Sequence, residues 1–170
     1  MNTRAFIALG SNLDDPRTRI DAAFRALAQI PATRLAKRSP IYRNRAVGPR
    51  RQPDFVNAVA ELVTGLGPYV LLDAIQEIER SQGRERNAER WAPRVIDLDI
   101  LLCGDHQMRD DRLTLPHPEM HRRRFVLQPL SDIAPDLEIP GHGPLRDLLQ
   151  RAPAHELTKI ASSEAAVEYL

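Results

Sequence analysis

Two aspartates one residue apart, Asp97 and Asp99, interrupt the most apolar stretch of the chain, Val95 to Leu102. Read as a strand, that stretch alternates its side chains between two faces. Ile96, Leu98, Ile100 and Leu102 then point into a core, and Val95, Asp97, Asp99 and Leu101 point the other way. The two acidic positions lie about 6.6 Å apart along such a backbone. Carboxylates so placed repel each other, and a cation compensates them. Two hard oxygen donors suit Mg²⁺, with water and phosphate oxygens completing its shell. The plainer reading is a solvated or salt-bridged acidic pair on an exposed face, and the spacing alone does not choose.

The neighbourhood adds charge of the opposite sign. Arg84, Arg86, Arg90 and Arg94 immediately precede the aspartates and outnumber them. A polyphosphate bound through metal accommodates both sets, its oxygens on the cation and its remaining charge on guanidinium forks. Further clusters stand at Arg43, Arg45, Arg50 and Arg51, and at Arg122, Arg123 and Arg124. Of the 24 basic residues only Lys37 and Lys159 are lysine, which either codon bias or phosphate binding explains. The formal net charge of +1 argues against a strongly basic nucleic-acid binder.

A second alternating stretch, Phe55 to Val63, puts Val56, Ala58, Ala60 and Leu62 on a core face and Phe55, Asn57, Val59 and Glu61 opposite. Asn57 can both donate and accept, which suits the amide-like edge of a heteroaromatic ring. Phe55 and Phe125 either stack on such a ring or belong to a satellite core. His117, held between Pro116 and Pro118, either binds phosphate or satisfies a backbone carbonyl. The chain has no P-loop, no dinucleotide fingerprint, no zinc spacing and no nucleophile elbow.

The elements that must position these groups are legible in order. Arg4 to Gly10 reads as a first strand, ending at a Gly10-Ser11-Asn12 turn. Asp15-Pro16 starts a helix with Asp15 as N-cap, and Ile20, Ala23, Phe24, Leu27 and Ile30 recur at helical spacing until Pro31. A second strand is expected at about Arg34 to Arg43, then an irregular Asn44 to Asp54, then the Phe55 to Val63 strand. Gly67-Pro68 opens a second helix with a stripe of Val70, Leu71, Ala74, Ile75 and Ile78, which Gly83 is placed to cap. An arginine-rich segment, Arg84 to Pro93, leads into the aspartate strand. The order β-α-β-β-α-β predicts an α+β fold of ferredoxin-like type, an antiparallel sheet with helices packed on one face. Pro116 to Arg151 adds C-terminal loops and shorter helices.

At 170 residues and 19.2 kDa, with 42% hydrophobic and 28% charged residues, the chain can bury a proper core and is not disordered by composition. We expect a single catalytic domain over 1–151 and a tail of unknown order over 152–170. No apolar run reaches the roughly 20 residues of a membrane span. A lone Cys103 and an N-terminus without a long apolar segment lead us to expect a cytoplasmic protein.

These motifs occur in an order that resembles a known family. Ile7 to Leu13 (IALGSNL), Phe55-Val56-Asn57-Ala58, Ile78-Glu79 with Gly83-Arg84, Arg90 to Asp99 (RWAPRVIDLD), and Pro116 to Met120 with Phe125-Val126-Leu127 are similar to those of the 6-hydroxymethyl-7,8-dihydropterin pyrophosphokinases of folate biosynthesis. The resemblance covers about Arg4 to Leu149, and its W-x-P-R-x-x-D-L-D run is its most specific part. It implies transfer of diphosphate from ATP to the pterin hydroxymethyl group, with AMP released. It implies that Asp97 and Asp99 bridge two Mg²⁺ ions and that Arg84 and Arg94 hold phosphates, assisted by His117 and Arg123. Leu72, Gln76, Glu79, Arg86, Ile100, Arg112 and Thr114 match nucleotide-contacting positions. Asn44, Val47 and Asn57 would meet the pterin, with Phe55 and Phe125 sandwiching its ring and Trp91 closing over it. The segments Asn44 to Asp54 and Arg84 to Pro93 would be lids that exclude water.

The chain departs from the family pattern in three places: Tyr42-Arg43-Asn44-Arg45 where Tyr-Arg-Thr-Pro is common, Phe55 where tyrosine is frequent, and Pro118 where some relatives have tyrosine. The implied partners are ATP and the reduced pterin; no nucleic acid and no membrane are expected, and the protein is expected to be a monomer. Two other readings fit the element order: an RNA-binding module and a non-catalytic ligand-sensing domain. The first would carry aromatic residues where this chain has acidic ones. Retention of both aspartates disfavours the second.

Overall fold

The computed structural model describes residues 2–12, 15–44, 54–83 and 96–160. Strand β1 (Thr3–Ser11) leads to helix α1 (Pro16–Leu27), then β2 (Thr33–Arg38), β3 (Tyr42–Asn44) and β4 (Phe55–Thr64). Helix α2 (Pro68–Ser81) and β5 (Asp97–Cys103) complete the sheet's first pass. A hairpin of β6 (Met108–Arg109) and β7 (Thr114–Leu115) follows, then a single 3₁₀ turn (Met120–Arg122) and helix α3 (Arg124–Ile133). The described residues continue through β8 (Glu138–Ile139), β9 (Gly143–Pro144), α4 (Leu145–Arg151) and β10 (Thr158–Lys159). The main sheet is antiparallel, with β4 and β1 central and β5 at one edge; β2 and β3 share the far side of β4, and β10 lies beyond β3.

The expected β-α-β-β-α-β order is present, and the architecture is α+β. The second strand is split in two by Ser39-Pro40. Proline has no N–H for a ladder, and Ser39 bridges the gap by donating its N–H to the Val59 carbonyl (2.9 Å) and accepting the Val59 N–H on Oγ (2.8 Å). Both helices start with proline, whose fixed φ suits the first turn. Asp15 occupies the N-cap position of α1 but is left-handed (φ 54°) and makes no side-chain cap. Its carboxylate instead accepts the Thr18 hydroxyl at 2.7 Å. Gly83, left-handed at φ 96°, follows the end of α2 as its punctuation requires.

Helices α1 and α2 lie on one face. Ile20, Ala23, Phe24 and Leu27 of α1 and Leu71, Ile75 and Ile78 of α2 close over Ile7, Leu9, Ala58, Ala60, Leu62, Ile96, Leu98 and Ile100. Val70 is not part of that stripe; it is 55% exposed, one residue off the buried row. The far face is not open along its whole length. Val126, Leu127, Leu130 and Ile133 of α3, with Leu145 and Leu148 of α4, form a second core with Phe6, Val59, Leu101 and Leu102.

Leu102 therefore faces the opposite way from the expectation. The β1–β5 register runs Ile7 to Ile100 and then Phe6 to Leu102, so Leu101 is an extra, bulged residue. A bulge reverses the alternation beyond it. Leu102 joins Leu101 in the second core, and Cys103 enters the first. Gly10-Ser11-Asn12 is likewise not a surface turn: Ser11 is still in the ladder opposite Val56, and both Ser11 and Asn12 are buried.

The segment after Ala152, unread in the sequence, contributes β10. Thr158 and Lys159 pair with Arg43 and Tyr42, and the Ile160 N–H donates to the Ile41 carbonyl at 2.8 Å. Among the described residues, no helix is long and apolar enough to cross a membrane.

Candidate active site

The far face is covered by α3 at one end only, and the functional residues gather at the other. Register makes this explicit. Tyr42 of β3 stands opposite Asn57 of β4, Asn57 opposite Gly10 of β1, and Gly10 opposite Asp97 of β5. The next row reads Val59, Ala8, Asp99. An amide, a bare glycine and a carboxylate thus lie side by side across three strands, about 4.8 Å between neighbours. Asp97 and Asp99 are half-buried, whereas Leu98 and Ile100 between and beyond them are in the core.

Asn57 is buried, and its Nδ2 donates to Asn44 Oδ1. That bond sets which end of each amide faces which way. A Cβ built on Gly10 would meet Asn57 Oδ1 at 3.1 Å, so the amide leans over the glycine. Phe55, opposite Asn44, opens β4 on the same face. Tyr42 donates its hydroxyl to Asp132 of α3, which ties β3 to that helix. Burial, together with the bond to the Asp132 carboxylate, raises the phenol far above its ordinary range.

His117 hangs on the end of β5. Its N–H donates to the Leu101 carbonyl (2.9 Å), beyond the cis Leu115–Pro116 bond. Its Nδ1 accepts the Glu119 N–H at 3.1 Å, so the neutral ring carries its proton on Nε2. Burial and the Arg123 guanidinium push the imidazole below its ordinary value, opposed by Glu119 and Asp97. His117, Arg123 and Asp97 therefore share one electrostatic neighbourhood. Arg123 precedes α3, with its guanidinium 5.9 Å from the Phe125 ring, and Phe125 also meets the His155 ring edge-on at 5.6 Å.

The remaining nucleotide candidates divide. Leu72 and Gln76 are half-buried on α2. Arg112 is exposed, paired with Asp73 at 2.6 Å and lying 5.2 Å from the Tyr69 ring. Thr114 pairs with Arg109 in the β6–β7 hairpin. Ile100 turns its side chain into the core, and Glu79 is 5% exposed with Oε2 accepting the Leu98 N–H at 2.9 Å. Arg84, Arg86, Arg94, Trp91, Val47 and most of both expected lids lie outside the described residues.

As a cation site, the donor set is two hard carboxylates with no soft or nitrogen ligand in register beside them. Among the described residues no three acidic, histidine or cysteine side chains gather as a metal cage. Such a pair fits Mg²⁺ that takes its other ligands from phosphate and water. Sequence reading missed Gly10, whose role is a close approach visible only in the register, and the Tyr42–Asp132 tie, whose partners are 90 residues apart.

The comparisons bear on this geometry. A family model for 7,8-dihydro-6-hydroxymethylpterin-pyrophosphokinase matches residues 6–135, which include both aspartates, Asn57 and His117. The chain belongs to that family. It is 45% identical to the 2-amino-4-hydroxy-6-hydroxymethyldihydropteridine pyrophosphokinase of Haemophilus influenzae over 92% of this chain and 97% of the relative. It is 48% identical to that of Pseudomonas aeruginosa over 94% and 98%. Crystal structures of Plasmodium falciparum HPPK-DHPS share the fold: the wild type with pteroate gives a TM-score of 0.68 at 14% identity, covering 89% of this chain and 42% of that longer one. The same protein with pterin and p-hydroxybenzoate also gives 0.68, over 89% and 43%. Membership makes the chain a transferase of folate biosynthesis, a kinase that moves a pyrophosphoryl group. Neither the family model nor these relatives support an RNA-binding or ligand-sensing module.

Proposed function

We propose that the chain transfers diphosphate from ATP to the hydroxymethyl group of 6-hydroxymethyl-7,8-dihydropterin and releases AMP, with two Mg²⁺ ions held by Asp97 and Asp99. The observation that carries the assignment is the row Asn57–Gly10–Asp97, which brings a ring-reading amide and a cation-binding carboxylate to one face at strand spacing. When bound, the cations neutralise the triphosphate and stabilise the charge that develops on transfer.

The protein's own work is positioning and charge. Asn44 holds the Asn57 amide with its Oδ1 over Gly10, presenting an acceptor to the N–H edge of the pterin. Phe55 and Phe125 supply ring faces for the pterin. His117, neutral with its proton on Nε2, donates to a phosphate oxygen, and Arg123 adds a fixed positive charge beside it. Arg84 and Arg94 grip the transferring phosphates, with Arg86, Arg112, Thr114, Leu72, Gln76, Glu79 and Ile100 forming the nucleotide side and Val47 and Trp91 the pterin side. Phosphoryl-type transfer asks for little else.

The scaffold reading is a ferredoxin-like catalytic domain spanning 1–151. It is supported by the β-α-β-β-α-β order and by the two helices that share a face. The reading includes a cytoplasmic location and action as a monomer, the latter supported by a described surface on which Tyr69 and Val70 are the only large exposed apolar residues. Incubation with the reduced pterin and MgATP tests the assignment. AMP must appear in step with pterin consumption; ADP, or no nucleotide product, would overturn it.

A further inference from the structure

Phe125 is the second residue of α3 and lies at the rim of the second core, half-buried rather than enclosed. The χ2 torsion of a phenylalanine is broad and soft, so the helix places the ring without setting its plane. A neighbour beyond the helix must do that. The aromatic neighbour is His155, whose ring meets Phe125 edge-on, with centroids 5.6 Å apart and planes at 80°. Edge-to-face contact at that distance is a geometry aromatic pairs favour. The Arg123 guanidinium also lies 5.9 Å from the Phe125 ring centre.

His155 is itself held in place. Its segment leaves α4 at Arg151, reaches β10 at Thr158 and is tied at both ends. At the first end Ala152 is buried in the second core. There the Arg124 guanidinium donates to the carbonyls of Leu149 (3.0 Å), Ala152 (3.1 Å) and Pro153 (3.4 Å). At the other end Thr158 and Lys159 pair with β3, and Ile160 packs against the first core. Between these ties Ala154 and Glu156 are exposed, whereas His155 is half-buried. Arg124 and Phe125 are consecutive, so the tether and the ring it supports share one turn of α3. We propose that His155 is a positioning residue for the pterin, setting the plane of the Phe125 ring, and that the pterin site therefore extends past residue 151. This rests on the reading in which Phe125 stacks on the pterin. A ring already held in its bound orientation does not have to be ordered by the ligand, and affinity gains accordingly.

Calorimetric titration of the full chain with the reduced pterin, at saturating Mg²⁺ and a non-hydrolysable ATP analogue, tests this. His155→Ala is expected to weaken pterin binding about fivefold, within what an edge-on aromatic pair contributes. Affinity for the analogue itself should not change. His155→Phe, which keeps a ring at this position, is expected to restore pterin affinity. His155→Leu, which keeps bulk without a ring, is expected to behave like alanine and covers the case in which alanine fails to fold. A purely structural loss reads differently, because it lowers the number of binding sites per chain and leaves the affinity of each site alone. Unchanged pterin affinity in His155→Ala overturns the proposal. So does tighter binding, which would mean that His155 occupies the face the pterin needs. Recovery by leucine as complete as by phenylalanine overturns it too, since bulk alone would then suffice. Failure of the underlying reading looks different: Phe125→Ala would then leave the pterin affinity of the folded protein intact.

Discussion

Gly10 stands directly across the β1–β4 ladder from Asn57, and a Cβ on it would lie 3.1 Å from Asn57 Oδ1. The amide has little room to retreat, because its other end is bonded to Asn44. Gly10→Ala is therefore expected to displace the acceptor that reads the pterin. Pterin affinity should fall about tenfold, equivalent to ~1.4 kcal/mol, with MgATP binding unchanged. Calorimetric titration of both ligands checks this, and unchanged pterin affinity would remove Asn57 Oδ1 from the recognition scheme.

The aspartate pair makes a separate prediction. Replacing Asp97 or Asp99 by asparagine keeps size and hydrogen-bonding capacity but halves the negative charge offered to a cation. Each variant should need at least about tenfold more Mg²⁺ for half-maximal nucleotide binding, since a direct ligand matters no less than the groups that orient it. A magnesium titration at fixed nucleotide measures it. A wild-type magnesium dependence in both variants would return the pair to its plain reading as surface acids.

His117 sets a pH dependence whose sign follows from its environment. Burial and Arg123 hold its folded pKa below the ordinary 6.5, so the unfolded chain binds the proton more readily. Its contribution to stability is present above pH 6.5 and is lost as pH falls toward the depressed folded value. Protonation also places a hydrogen on Nδ1, where the ring now accepts the Glu119 N–H. The melting temperature should therefore drop between pH 7 and pH 5, and less so in His117→Gln, which lacks the titrating ring. A histidine NMR titration with a midpoint at or above 6.5 would contradict the assignment.

Ser39 bears on stability alone. Its Oγ accepts the Val59 N–H where Pro40 breaks the strand, and the site is buried. Ser39→Ala would leave that N–H without this acceptor, at a loss of about 1–3 kcal/mol. Denaturant unfolding should show a lower midpoint with an unchanged slope. A midpoint equal to wild type would mean that Val59 finds another partner.

Part of this site was legible because it is local. Asp97 and Asp99 share a face by strand alternation alone, and the same holds for Phe55 and Asn57. The reading went astray where a long-range partner intervened. Nothing in Leu101-Leu102-Cys103 marks a bulge, since all three are apolar; the mismatch with Phe6-Ile7 produces it. Val70 looked like core by spacing, but the sheet meets α2 one row away, at Leu71, Ile75 and Ile78.

What the sequence determined by itself is the order of elements, the identity of each strand's two faces and the family its motifs resemble. These depend on backbone periodicity and on side-chain types within a few residues. Only the tertiary structure decided that Gly10 lies between Asn57 and Asp97, that α3 and α4 close one end of the far face, and that Glu79 turns inward to the Leu98 amide. Those relationships depend on register between segments far apart in the chain, and register is set by how whole faces pack together.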